Sequence, residues 1–184
     1  MSHDFFKNEQ QVKSVEEFGI IDSAQKTGKG QKTAYVDYDN KISWNTKIIS
    51  YNRNDIYFNA IDGNIIFYRS QEKNNEKERS CDAMLHTDDT LVFLEIKDWN
   101  KKYKDKTGKK VSFLESATEQ LENTIAHFYK NHSEKQFSRR YAYISNKHKP
   151  NFSFSNPATQ QTFKDNTKGF ILKVSTTIEL KATK

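Results

Sequence analysis

Asp82 and the triplet Glu95-Ile96-Lys97 stand on either side of a short acidic turn, and their spacing constrains the local fold more than any other feature of the chain. The runs 83–86 and 91–97 read as strands, with Thr87-Asp88-Asp89-Thr90 as the loop between them. A symmetric loop centred on Asp88-Asp89 sets Asp82 directly opposite Glu95, with Cβ atoms about 4.5 to 5.5 Å apart across the ladder. Lys97, two positions further on, projects from the same face. The other face pairs Cys81 with Ile96, Ala83 with Leu94 and Leu85 with Val92, and is apolar throughout. The expected hairpin has one core side and one charged side that opens to solvent.

Two carboxylates held that close repel, so either one takes up a proton or a cation sits between them. Mg²⁺ prefers carboxylate oxygens, takes one or two from a protein, and completes its octahedron with water and phosphate oxygens. Such an ion polarises a phosphoryl oxygen and acidifies bound water, while a neighbouring lysine stabilises developing negative charge. The plainer reading is that Glu95 and Lys97 are ordinary charges of a solvated strand, worth little.

The segments Arg79-Ser80-Cys81-Asp82-Ala83-Met84-Leu85, Val92-Phe93-Leu94-Glu95-Ile96-Lys97-Asp98-Trp99 and Glu119-Gln120-Leu121 resemble the PD-(D/E)xK nuclease superfamily, the fold of restriction endonucleases. The likeness spans about residues 44–145 and is to small bacterial members in particular, which share a stretch similar to Ala60-Ile61-Asp62. It implies an α/β (α+β) fold with a restriction-endonuclease-like core, a central mixed β-sheet flanked by helices. It further implies Asp82 and Glu95 as ligands of Mg²⁺ or Mn²⁺, Lys97 as the catalytic lysine, Gln120 as an accessory residue, and nucleic acid, DNA before RNA, as substrate. Cys81 stands where the family's nominal Pro precedes the Asp, and no upstream helical Glu matches. Asp62, Glu76 and Glu78 are the candidates for that third acid. Many members are homodimers, although no interface signature is visible here.

A length of 184 residues is about one domain, with 1–32 as an N-terminal element of loose exit. Only 34% of residues are hydrophobic, but thirteen Phe and nine Tyr make a compact core attainable. A single cysteine, Cys81, excludes an internal disulfide and a Cys-based zinc cage, and reads as a small core residue. No run approaches a membrane span and the opening residues do not read as a signal peptide, so the expected location is cytoplasmic, without a membrane partner. The net charge of +6 favours a polyanionic partner. Lys101, Lys102, Lys104, Lys106, Lys109 and Lys110 crowd the segment after Glu95-Ile96-Lys97, interleaved with Trp99 and Tyr103. Beside a metal site they read as a strand guide, and by themselves as a solvated connection.

Along the chain, Val12, Val15 and Phe18 suggest a short helix, and 33–38 and 44–51 suggest strands. Runs 56–61 and 65–68 flank Asp62-Gly63, a hairpin signal, although a helix over 58–68 would suit the superfamily. Ser112-x-x-Glu115 is a capping box opening a helix to about Lys130, with Leu114, Thr118, Leu121, Ile125 and Phe128 as its buried stripe and Gln120 at the border. A strand follows over 141–145, then an Asn/Ser-rich loop bracketed by Pro150 and Pro157, then strands over 169–174 and 177–180. The histidines take surface roles by default, and His148 with Lys147, Lys149, Arg139 and Arg140 reads as either a phosphate-binding extension or solubilising charge.

Two other functional classes compete with the nuclease reading. One is a nuclease fold kept as a binding module, such as an immunity or regulatory protein that docks a protein partner. The other is a carboxylate-pair glycosidase, in which Lys97 has no natural part.

Overall fold

The computed structural model describes residues 4–13, 15–22, 33–51, 55–62, 64–68, 77–98, 102–104, 108–132, 137–146 and 156–181. Before the acidic turn lie β1 Gln10–Gln11, β2 Glu17–Asp22, β3 Ala34–Asp37, β4 Thr46–Ser50, β5 Tyr57–Ala60, β6 Phe67–Tyr68, β7 Lys77–Glu78 and β8 Ala83–His86. After it come β9 Thr90–Ile96, β10 Tyr103–Lys104, β11 Lys110–Val111, α1 Phe113–Asn131, β12 Arg139–Ser145, α2 Pro157–Asn166, β13 Ile171–Val174 and β14 Thr177–Leu180. The class is α+β. A mixed six-stranded sheet runs β1-β5-β8-β9-β12-β13, and a mixed four-stranded sheet runs β14-β4-β2-β3.

The hairpin register follows the turn as expected, with Ala83 opposite Leu94 and Leu85 opposite Val92. The expectation that only one face is core fails. Along β9 the side chains alternate between two apolar layers: Leu91 and Phe93 enter one, Val92, Leu94 and Ile96 the other. The first layer lies against α1 and α2 through Leu121, Ile125, Phe128 and Phe163. The second is filled by the four-stranded sheet through Phe18, Ile20, Ile48 and Ile178. Both described helices therefore cover one face and a second sheet covers the other, so the helices do not flank the sheet on both sides. A strand buried on both faces reads as a continuous apolar run, and all seven residues of β9 are buried.

The capping box is present, with the Glu115 N–H donating to Ser112 Oγ and the Ser112 N–H to Glu115 Oε2. The buried stripe of α1 is rotated from the expected one, with Ser116, Ala117 and Thr124 inside and Leu114 and Thr118 at its margins. Two local expectations fall to long-range pairing. The short helix expected through Val12, Val15 and Phe18 does not form among the described residues, and 17–22 are a strand, because β2 pairs with both β3 and β4. The runs about Asp62 are strands that do not pair with each other: β5 joins β1 and β8, β6 joins β7, and no helix forms there. The expected loop bracketed by Pro150 and Pro157 lies outside the described residues as far as 155, and the stretch from Pro157, for which the sequence suggested no element, is α2: the Asn156 side chain accepts from the Thr159 N–H and Pro157 opens the first turn.

Over its described residues the N-terminal element is anchored: Phe5 is fully buried in the helix-side core, and β1 and β2 join different sheets. Residues 23–32 lie outside the described part. The surface default also fails for His132, which is buried and accepts the Phe5 N–H. No helix among the described residues is long and apolar enough to cross a membrane.

Candidate active site

Four chain segments meet where β8 begins and β9 ends. Asp82 precedes β8, and its N–H donates to the Leu94 carbonyl, extending the ladder by one step. Its Oδ2 accepts the Ile96 N–H at 2.5 Å, which aims the carboxylate across the hairpin toward Glu95 and Lys97. The Lys97 N–H donates to the Ser145 carbonyl of β12, so the parallel neighbour fixes the lysine backbone. Lys97 Nζ lies 2.5 Å from Glu95 Oε1 and donates to Gln120 Oε1 at 2.5 Å. Gln120 in turn donates from Nε2 to the Ser80 carbonyl at 2.8 Å. Gln120 is therefore not a solvent-facing amide; it ties α1 to the lysine and to the entry of β8.

Asp82, Glu95, Lys97 and Gln120 thus converge as the sequence suggested, but Asp82, Glu95 and Lys97 are not open to solvent. Asp82 is 9% exposed, Lys97 8% and Glu95 2%. The reason is tertiary. Asp82 and Glu95 project toward the helix layer, and the β10-β11 ribbon brings the Tyr103 ring to 5.0 Å from Lys97 Nζ. The Tyr103 hydroxyl is itself held by the Asp98 main chain.

Burial and crowding dominate the electrostatics. Desolvation pushes the Asp82 carboxyl well above its usual range, and the charges of Glu95 and Asp22 push it the same way. Desolvation likewise carries Glu95 to about 7 against the pull of Lys97, with Asp62 and Asp22 adding to the rise. Burial disfavours the Lys97 ammonium, but adjacent Glu95 outweighs it and holds the lysine above its ordinary value. Glu95 resists ionisation although Lys97 beside it holds its proton, because an almost fully buried acid with three other carboxylates acting on the pair cannot be fully repaid by one ammonium.

Asp22, at the end of β2 in the second sheet, acts on both acids and was not legible in the sequence. Only the sheet-on-sheet layer brings it near, and no local motif marks it. Of the three candidates for a further acid, Asp62 acts on Glu95, Glu78 is paired with His127 at 2.8 Å, and Glu76 lies outside the described residues. Desolvation raises the Cys81 thiol, which suits an inert core residue.

The donor set fits a hard divalent cation. Glu95 Oε2 is buried without a hydrogen-bond partner, and the carboxylates of Asp82 and Glu95 are the oxygen ligands Mg²⁺ or Mn²⁺ takes. Among the described residues no group of three or more His, Cys, Asp or Glu is arranged to hold a metal, so water and substrate oxygens would complete the shell. The basic segment is partly described: Lys102, Lys109 and Lys110 are exposed, β10 and β11 pair Lys104 with Lys110, and Lys101 and Lys106 lie outside. Arg139 is committed to Asp89 at 2.7 Å instead of extending a phosphate surface, while Lys147, His148 and Lys149 lie outside. A cleft of about 620 Å³ shares no residue with the Asp82 cluster, so the chemistry and this opening occupy different places. The cluster is the better candidate site, because reactivity follows from converging charged groups rather than from volume. The chain matches no family model, no curated protein and no solved structure.

Proposed function

We propose that the chain is a metal-dependent nuclease, hydrolysing phosphodiester bonds of nucleic acid, DNA before RNA, at the Asp82 cluster. The observation that carries this reading is the meeting of Asp82, Glu95, Lys97 and Gln120 in one hydrogen-bonded group contributed by three segments. Asp82 and Glu95 would hold Mg²⁺ or Mn²⁺, which when bound supplies Lewis-acid polarisation of the phosphoryl group and an acidified water. Lys97 keeps its proton and places positive charge where a pentavalent phosphorus centre gathers negative charge. Gln120 keeps the ammonium on that side of the site by accepting one of its protons. The exposed Lys102, Lys109 and Lys110 on and beside the β10-β11 ribbon suit a phosphate backbone that neutralises them.

Linear and supercoiled DNA and a single-stranded RNA, each incubated with Mg²⁺ or Mn²⁺, test the reading against Asp82→Asn, Glu95→Gln and Lys97→Met. Cleavage by the wild type that each folded variant loses by a factor of about 100 or more supports it. Equal cleavage by Lys97→Met rejects it.

The enclosure of the cluster favours a second reading, the same fold as a non-catalytic binding module such as an immunity or regulatory protein. Titration calorimetry with Mn²⁺ separates the two, since a binding module gives no heat that Glu95→Gln abolishes.

A further inference from the structure

A second built feature lies on the opposite face of the six-stranded sheet. Tyr141 and Tyr143 project there with Val92 and Leu94, whereas Glu95 projects toward the helices. β13 is the edge strand of one sheet and β14 of the other, and the two are joined through Ser175 and Thr176. At that corner lies a cleft of about 620 Å³, lined by Arg139, Tyr141, Tyr143, Lys173, Thr177 and Lys181 among others. That volume falls within the about 300 to 1,000 Å³ of small-molecule sites.

Its charges do not balance internally. Arg139 is neutralised by Asp89, and Glu179, the one carboxylate lining the cleft, is neutralised by Lys181 at 3.2 Å. Lys173 has no carboxylate partner among the described residues, and its Nζ stands 4.4 Å from the Tyr141 ring centre and 5.7 Å from that of Tyr143. Neither phenol hydroxyl makes a hydrogen bond among the described residues. Burial pushes the Tyr143 phenol up to about 12, so it stays a donor at neutral pH. One ammonium and two phenols therefore share a cleft without a protein acceptor, beside two rings whose centres are 6.3 Å apart. An ammonium facing no carboxylate attracts an anion, and the partly exposed Tyr141 ring offers an aromatic surface to a planar ring system. A bare inorganic anion would leave the rings and most of the volume unused.

We propose that this cleft binds a nucleoside phosphate, with the phosphate against Lys173 and the base against Tyr141. The site is separate from the Asp82 cluster and does not rest on the nuclease reading. The phosphate belongs either to a free nucleotide or to a nucleic-acid strand, and the probes distinguish them.

Adenosine 5′-monophosphate, adenosine and hexathymidylate are titrated calorimetrically into the wild type, Lys173→Glu, Tyr141→Ala and Lys164→Glu. The last changes an equally exposed lysine on α2, outside the cleft. The monophosphate or the hexamer binds the wild type and Lys164→Glu alike and binds Lys173→Glu at least about tenfold more weakly. Binding of the monophosphate alone assigns a free nucleotide, and binding of the hexamer alone assigns a strand. Tyr141→Ala weakens whichever probe binds. Absence of binding by both probes, retention of full affinity in Lys173→Glu, or adenosine binding as tightly as its monophosphate overturns the proposal.

Discussion

Replacing Glu95 with Gln isolates the cost of holding charge in the cluster. Glu95 is pushed up from 4.5 to about 7 by burial. The folded state therefore keeps a proton on Glu95 that the unfolded state has released, and stability falls as pH rises between those values. Each pH unit in that window is worth about 1.4 kcal/mol, so the site costs roughly 3 kcal/mol more above pH 7 than below pH 4.5. Asp82 is raised as well and acts in the same direction, the two acids titrating as a pair. Glu17, Asp37 and Asp89 are held below their usual values, and their opposite contribution is lost only as pH falls through the acid range. Urea denaturation at pH 5 and pH 8 should thus show the wild type losing about 2.5 kcal/mol, and Glu95→Gln losing much less, because its neutral amide has no proton to release. Mg²⁺ at pH 8 should restore wild-type stability and leave the variant unchanged, since an ion that binds only the folded, ionised site shifts the balance by mass action. Equal pH dependence in the two proteins would refute the burial argument.

Gln120→Leu should cost about 1 to 3 kcal/mol in chemical denaturation, because the Ser80 carbonyl and the Lys97 ammonium each lose a buried partner. Phe163→Ala, which empties the α2 contribution to the helix-side core, should lower stability by about 3 to 5 kcal/mol, and a negligible loss would mean that α2 does not dock. Gly19→Ala should destabilise by about 1 to 3 kcal/mol or more, since a Cβ there would lie 2.0 Å from the Trp44 ring. Adding Trp44→Leu should recover part of that loss in thermal melts.

Local chemistry wrote some of this fold plainly. The symmetric acidic turn set the β8-β9 register, and the Ser112-Glu115 box set the start of α1. Both depend on residues within a few positions of one another. The hairpin about Asp62-Gly63 failed because β5 has a better partner in β8, more than twenty positions later, and turn chemistry cannot weigh a distant competitor. The short helix through Val12, Val15 and Phe18 failed for the same reason, the two strands that pair with Glu17 to Asp22 deciding against a weak helical period. α2 carried a start signal in Asn156-Pro157, but with Phe163 as its one buried residue it has no apolar stripe to mark a helix.

The amino-acid order alone determined that Asp82, Glu95 and Lys97 share one face of a hairpin, because side chains alternate with a period of two once the register is set. Tertiary structure decided what that face meets. α1 and the β10-β11 ribbon shut it away from water and the second sheet brought Asp22 to bear, turning a charged strand surface into a crowded buried site. Burial and long-range charge depend on which layers stack, and stacking is settled by the sum of the apolar surfaces, which no local pattern contains.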